Sequence, residues 1–221
     1  MLRLVFAMLA AIGVQATPTP WHSPPVQVLT APVVLARGTM ICPGDERPAK
    51  VELWMMSGEA QPLGCVADYI VCGRVALQVQ RRGHAPVRTG VNELVGKEEM
   101  CFDPVPEAWP LAFGDFNHDG APDLALGEHT CHEFNGYYLL SFSASGEAHR
   151  LPIAPGGVMW APAGGPMPDM SEVEMTANGF RITMMDRTVD PIQEQTATYH
   201  WDSSVGSFFV FTTEENPTPP R

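Results

Sequence analysis

Residues 113–127 read FGDFNHDGAPDLALG, and the fold and the candidate site both turn on this stretch. Asp115, Asn117, Asp119 and Asp123 stand at positions 1, 3, 5 and 9 of a loop, with Gly120 at position 6. Alternate residues of a tightly curled loop point the same way, so positions 1, 3 and 5 converge. Glycine at position 6 permits the sharp turn that brings position 9 back to them. The carbonyl of Ala121, at position 7, is the natural backbone ligand. Calcium takes about six to eight oxygen ligands at flexible angles. The expected site is therefore calcium held by Asp115, Asn117, Asp119, Asp123 and the Ala121 carbonyl. Three carboxylates so close together repel one another, and a cation relieves that repulsion. An EF-hand would place Glu at position 12 and continue as a helix. Here position 12 is Leu126, and DLALG (123–127) reads as a strand.

The rest of the chain also reads as strands. Short segments rich in Val, Ile, Phe, Tyr and Trp are punctuated by Gly, Pro, Asp and Asn. The expected strands are 26–36, 50–56, 66–71, 74–80, 110–114, 123–127, 137–143, 172–176, 180–185, 196–201 and 207–213. In FRITMM, Phe180, Ile182 and Met184 share one face, and Arg181 and Thr183 the other. In RVALQVQ, Val75, Leu77 and Val79 alternate with Ala76, Gln78 and Gln80. Helical periodicity is weak, with at most a turn or two near 91–99. Residues 154–170 (APGGVMWAPAGGPMPDM) carry so much Pro and Gly that a long surface loop is expected. The fold class is all-β: a small distorted propeller-like or sandwich arrangement of antiparallel strands with one calcium loop.

The D-x-N-x-D-G-x-x-D loop followed by an apolar strand resembles the calcium loops of FG-GAP or VCBS repeats. The resemblance implies calcium and a propeller-like β-fold. A looser resemblance spans roughly residues 70–213. It runs through RVALQVQRRGHAPV, the calcium loop, GYYLLSFSASGE, FRITMM and TATYHWDSSVGSFFVF. It is to bacterial periplasmic immunity proteins that inhibit lysozyme-like toxins of a type IV secretion system. That resemblance implies a protein partner, a lysozyme-like enzyme, contacted close to the calcium loop. On this reading His129, His132, Tyr137 and Tyr138 of the following segment would insert toward an enzyme cleft.

The termini suggest export. Residues 1–16 have one early positive charge, an apolar run from Leu4 to Val14 and a small-x-small site at Val14-Gln15-Ala16, the pattern of a signal peptide. A Pro-rich leader (17–25), a single β domain (26–215) and a flexible tail (216–221) are expected to follow. The expected location is periplasmic or secreted. No apolar run is long enough to span a bilayer as a helix.

The 221 residues carry a net charge of −12, which disfavours a nucleic-acid partner, since phosphate binding needs a basic patch. Cys42, Cys65, Cys72, Cys101 and Cys131 allow at most two bridges and leave one thiol over. The spacing of Cys65 and Cys72 suits a small loop bridge, although spacing does not fix connectivity.

Two alternatives come from other classes. A copper or zinc binder would use EHTCHE (128–133) together with Met159, Met167, Met170 and Met175. A surface adhesion module would use the calcium loop alone. No GxSxG, HExxH or Walker pattern occurs, so an enzyme is not expected.

Overall fold

Apolar and polar residues alternate along the strands, and the alternation decides which face each strand buries. The computed structural model describes residues 28–29, 32–62, 69–102, 108–128, 134–162, 170–186 and 193–214. The expected signal sequence (1–16), leader (17–25) and tail (216–221) lie outside the described residues, as do Cys65, Cys131, His129, His132 and Met167. In chain order the elements begin with Val28–Leu29 (β1), Val33–Met40 (β2), Ala49–Pro62 (β3), Tyr69–Gln80 (β4) and Val87–Gly90 (β5). The short helix Val91–Val95 (α1), Met100–Phe102 (β6), Trp109–Pro110 (β7), Phe113–Gly114 (β8) and Asp123–Gly127 (β9) follow. Next come Phe134–Phe142 (β10), Ala148–Leu151 (β11), Ile153–Ala154 (β12) and Met159–Pro162 (β13). Val173–Thr176 (β14), Gly179–Asp186 (β15), Gln193–Asp202 (β16) and Ser207–Glu214 (β17) complete the described strands.

Among the described residues the strands form three sheets, none of them closed, in a sandwich-like all-β arrangement. The first sheet has the order β5-β4-β3-β2-β7, with β1 also on β3 and β6 also on β4. The second runs β11-β10-β9-β8, with β13 also on β10. The third runs β12-β17-β16-β15-β14. The expectation of antiparallel strands holds except at β2–β7 and β12–β17, which pair in parallel.

Two cores lie on either side of the second sheet. Val51, Leu53, Met55, Val75, Leu77 and Val79 of the first sheet cluster with Leu124, Leu126, Tyr138, Leu140 and Phe142 of the second. The other face of the second sheet supplies Ala125, Tyr137, Leu139 and Met159, which meet Phe180, Ile182, Ala197, Tyr199 and Phe208 of the third. A sheet covered on both faces has no polar side, which is why all five residues of β9 are buried. Leu124 and Leu126 face one core and Ala125 the other. The faces read in FRITMM and RVALQVQ are those the structure buries. Tyr199 also links two sheets by a polar contact: the Trp160 amide donates to its hydroxyl at 2.9 Å.

The segment 154–170 departs from the surface loop expected of it. Ile153–Ala154 pairs with β17, and Met159–Pro162 pairs with β10. Met159 and Ala161 are fully buried. The Pro and Gly residues are tolerated because β13 pairs on one side and the turn before it takes positive φ at Gly156 and Gly157. Near 91–99 the short helix does form, and Asn92 fixes it to β4. Its Oδ1 accepts the Val75 amide at 2.6 Å, while its Nδ2 donates to the Glu98 carbonyl at 3.1 Å.

Cys72 is bonded to Cys101, joining β4 to β6, so the small Cys65–Cys72 bridge is not the one made. The two cysteines are register partners on adjacent strands, a proximity that sequence spacing hides. Cys42 is a buried free thiol. No described helix is long and apolar enough to cross a membrane.

Candidate metal centre

The loop between β8 and β9 connects adjacent strands of the second sheet, so its two ends are held close together by the ladder. Inside it the oxygen donors are knotted through backbone amides. The Asp115 carboxylate accepts the amides of Asp119 and Gly120, both at 3.1 Å. The Asn117 Oδ1 accepts the Asp119 amide at 3.2 Å, and its Nδ2 donates to Asp119 at 2.9 Å. The other Asp119 oxygen accepts the Ala121 amide at 2.7 Å. Two residues take positive φ to make this curl: Gly120 at 81° and His118 at 57°. Gly120 is therefore the turn residue its position predicted.

Asp123 is set apart. It is fully buried, on the same face of β9 as Ala125. Its Oδ2 accepts the Phe116 amide at 2.8 Å, whereas Oδ1 has no hydrogen-bond partner. Its cross-strand neighbour Ser141 is also buried, and the Ser141 hydroxyl has no partner either. Burial pushes the Asp123 carboxyl up to about 6. The Ser141 hydroxyl beside it, which stays outside hydrogen-bond geometry, and the Phe116 and Asn117 amides only partly oppose that rise, and the nearby Asp119 carboxylate adds to it. An orphaned carboxylate oxygen in a dry site is costly unless something positive compensates it.

The structure therefore brings Asp115, Asn117 and Asp119 into one knot, with Asp123 behind it. Among the described residues no three His, Cys, Asp or Glu side chains converge tightly enough to hold a metal ion. Like charges repel, and each exposed carboxylate turns to the nearest amides instead. The donor set nevertheless suits a hard cation. It is all oxygen, and a carboxylate oxygen that accepts one amide keeps a second lone pair. If calcium binds, Asp115, Asn117, Asp119, Asp123 and the Ala121 carbonyl would hold it, and its charge would compensate the buried carboxylate.

This arrangement makes a prediction. Asp123→Asn keeps the acceptor for the Phe116 amide and removes the buried charge. The native carboxyl titrates near 6, above its usual range, so above that pH its charged form opposes folding. In chelator at pH 7.5 the variant should be more stable by about 1–3 kcal/mol, and it should lose any response to calcium. Urea unfolding checks this. A variant less stable than the parent in chelator would mean that the carboxylate is no electrostatic burden.

The expected partner-binding residues are corrected in part. Tyr137 is fully buried between the second and third sheets, and Tyr138 is buried on the opposite face. Consecutive residues of a strand covered on both sides must each enter a core, so neither inserts into a partner. Tyr138 instead lies beneath two cations, with the Lys97 Nζ 5.9 Å and the Arg150 guanidinium 5.3 Å from its ring centroid. His129 and His132 fall outside the described residues.

The methionines of the copper reading are dispersed. Met159 is in a core, Met170 packs against it, and Met175 is exposed on β14. Phe116, His118 and Ser141 are residues around the loop that the sequence reading did not single out. The first two occupy the even positions of the loop, and the alternation that aims odd positions inward was the available signal.

No protein-family model matches the chain, and neither the curated proteins nor the solved structures contain a significant match.

Proposed function

We propose that the chain is an exported, calcium-stabilised β protein that works by binding another protein rather than by catalysing a reaction. The observation that carries the calcium part is the buried, unpartnered Oδ1 of Asp123 behind a knot of oxygen donors. A cation at the loop would compensate that charge and use lone pairs that the amides leave free. The net charge of −12 favours a basic partner and speeds encounter with one. The resemblance to immunity proteins of the periplasm makes that partner a lysozyme-like peptidoglycan hydrolase, blocked by surface contact near the calcium loop. With Tyr137 and Tyr138 committed to cores, that contact would fall to exposed side chains around the loop.

The test has two stages. Calcium at about 100 times its dissociation constant should add about 2.7 kcal/mol of stability. Thermal melts with calcium and with chelator measure this, and Asp119→Ala should abolish the difference. Identical melts in both conditions would remove the calcium site. A turbidity assay then compares several peptidoglycan hydrolases with and without the calcium-loaded protein. If every enzyme kept full activity in a large excess of it, the inhibitor reading would be abandoned.

A further inference from the structure

We infer that the 115–123 loop is a latch, through which cation binding tightens the docking of the third sheet onto the second. The inference rests on the calcium reading above and goes beyond it to what binding does. The odd positions 115, 117 and 119 carry the oxygen donors, and the even positions 116 and 118 carry contacts to the third sheet. Phe116 is buried in the core between the second and third sheets, with its ring edge-on to Phe180 at 5.1 Å. His118 Nε2 lies 3.2 Å from the carbonyl oxygen of Gly179 and donates to it. Both contacts therefore land on consecutive residues, Gly179 and Phe180, at the start of β15.

The receiving backbone is held firmly. Gly179 has φ of 143°, and a Cβ there would lie 2.1 Å from the Tyr199 carbonyl oxygen, so β15 and β16 run too close at this point for any side chain. Phe180 stacks on Tyr199 at 4.7 Å and meets Phe208 at 5.4 Å, which carries the contact across β16 to β17. Fixing the odd side chains of so short a loop on an ion also fixes the even ones, because both hang from the same curled backbone. Binding and docking are then linked, and each strengthens the other.

Hydrogen exchange read by mass spectrometry tests this on the full chain, in calcium and in EGTA, with calorimetry reporting calcium binding separately. Calcium should slow exchange in β15 and β16 by about tenfold more than in β3 and β4, within the range usual for coupled sites. His118→Asn tolerates the positive φ but is too short to reach Gly179. It should bind calcium within a few-fold of the parent and lose most of the extra protection, and Phe116→Leu should do the same. Calorimetric binding with protection confined to 113–127, or spread evenly over all three sheets, would overturn the latch and leave the site intact. Undiminished extra protection in both variants would overturn it as well. No calorimetric binding would overturn the site and the latch together.

Discussion

Phe180→Ala is expected to lower stability by about 3–5 kcal/mol, the usual cost of truncating a fully buried aromatic. Phe180 is fully buried and touches the rings of Phe116, Tyr199 and Phe208. Two terms add in this substitution: the lost transfer free energy of the ring, and the cavity that remains. The cavity cannot close easily. Gly179 beside it is pressed against the Tyr199 backbone, and β15 is paired along its whole length with β16. Edge-on and stacked aromatic geometry contributes a further amount of about 0.5–1.5 kcal/mol per pair. Urea unfolding of the variant measures the loss. A decrease below about 1 kcal/mol would mean that the second core repacks freely, contrary to the close packing expected of interiors.

The second large effect concerns the Cys72–Cys101 bridge, which closes a loop of 29 residues. Replacing both cysteines by alanine should cost about 3–4 kcal/mol, because the unfolded chain regains the loop entropy that the bridge removes. Apart from the bridge, the strand is held by its short ladder with β4 and by Met100 and Phe102, which are buried in the core between the first and second sheets. β6 has three residues, and β4 is its partner in the sheet. The loop closed by the bridge contains β5 and α1. Amides of β6 and α1 should therefore lose exchange protection before those of β15 or β16. The calcium response should persist, since the loop at 115–123 belongs to another sheet. A double variant as stable as the parent would show that the β4–β6 pairing holds without the cross-link.

Much of the fold was legible in the residue pattern. The segment 123–127 is a strand with the bounds its apolar run suggested, and the hairpin of β16 and β17 follows TATYHWDSSVGSFFVF. These readings worked because strand periodicity is local: each side chain's face follows from its neighbours in the chain. The curl of the 115–123 loop was legible for the same reason. Gly120 at the sixth position and donors at odd positions are a local pattern, and the structure curls them together.

What failed was non-local. The segment 154–170 looks too rich in Pro and Gly for a strand, yet β10 offers residues 159–162 a partner edge, and Met159 and Ala161 enter the core between the second and third sheets. The aromatic pair at 137–138 resembles an exposed patch until sheets are placed on both sides of it. Cys72 finds Cys101 through strand register, not through spacing.

The chain's own residues thus dictate an all-β protein, the faces of its strands, and a curled loop of oxygen donors, because propensity and periodicity act between near neighbours. Only the tertiary structure decides which face of the second sheet meets which core. It also decides that the Asp123 carboxylate loses its water and that Phe116 and His118 reach the third sheet. Burial and long-range contact are properties of stacked sheets, and no short stretch of sequence carries them.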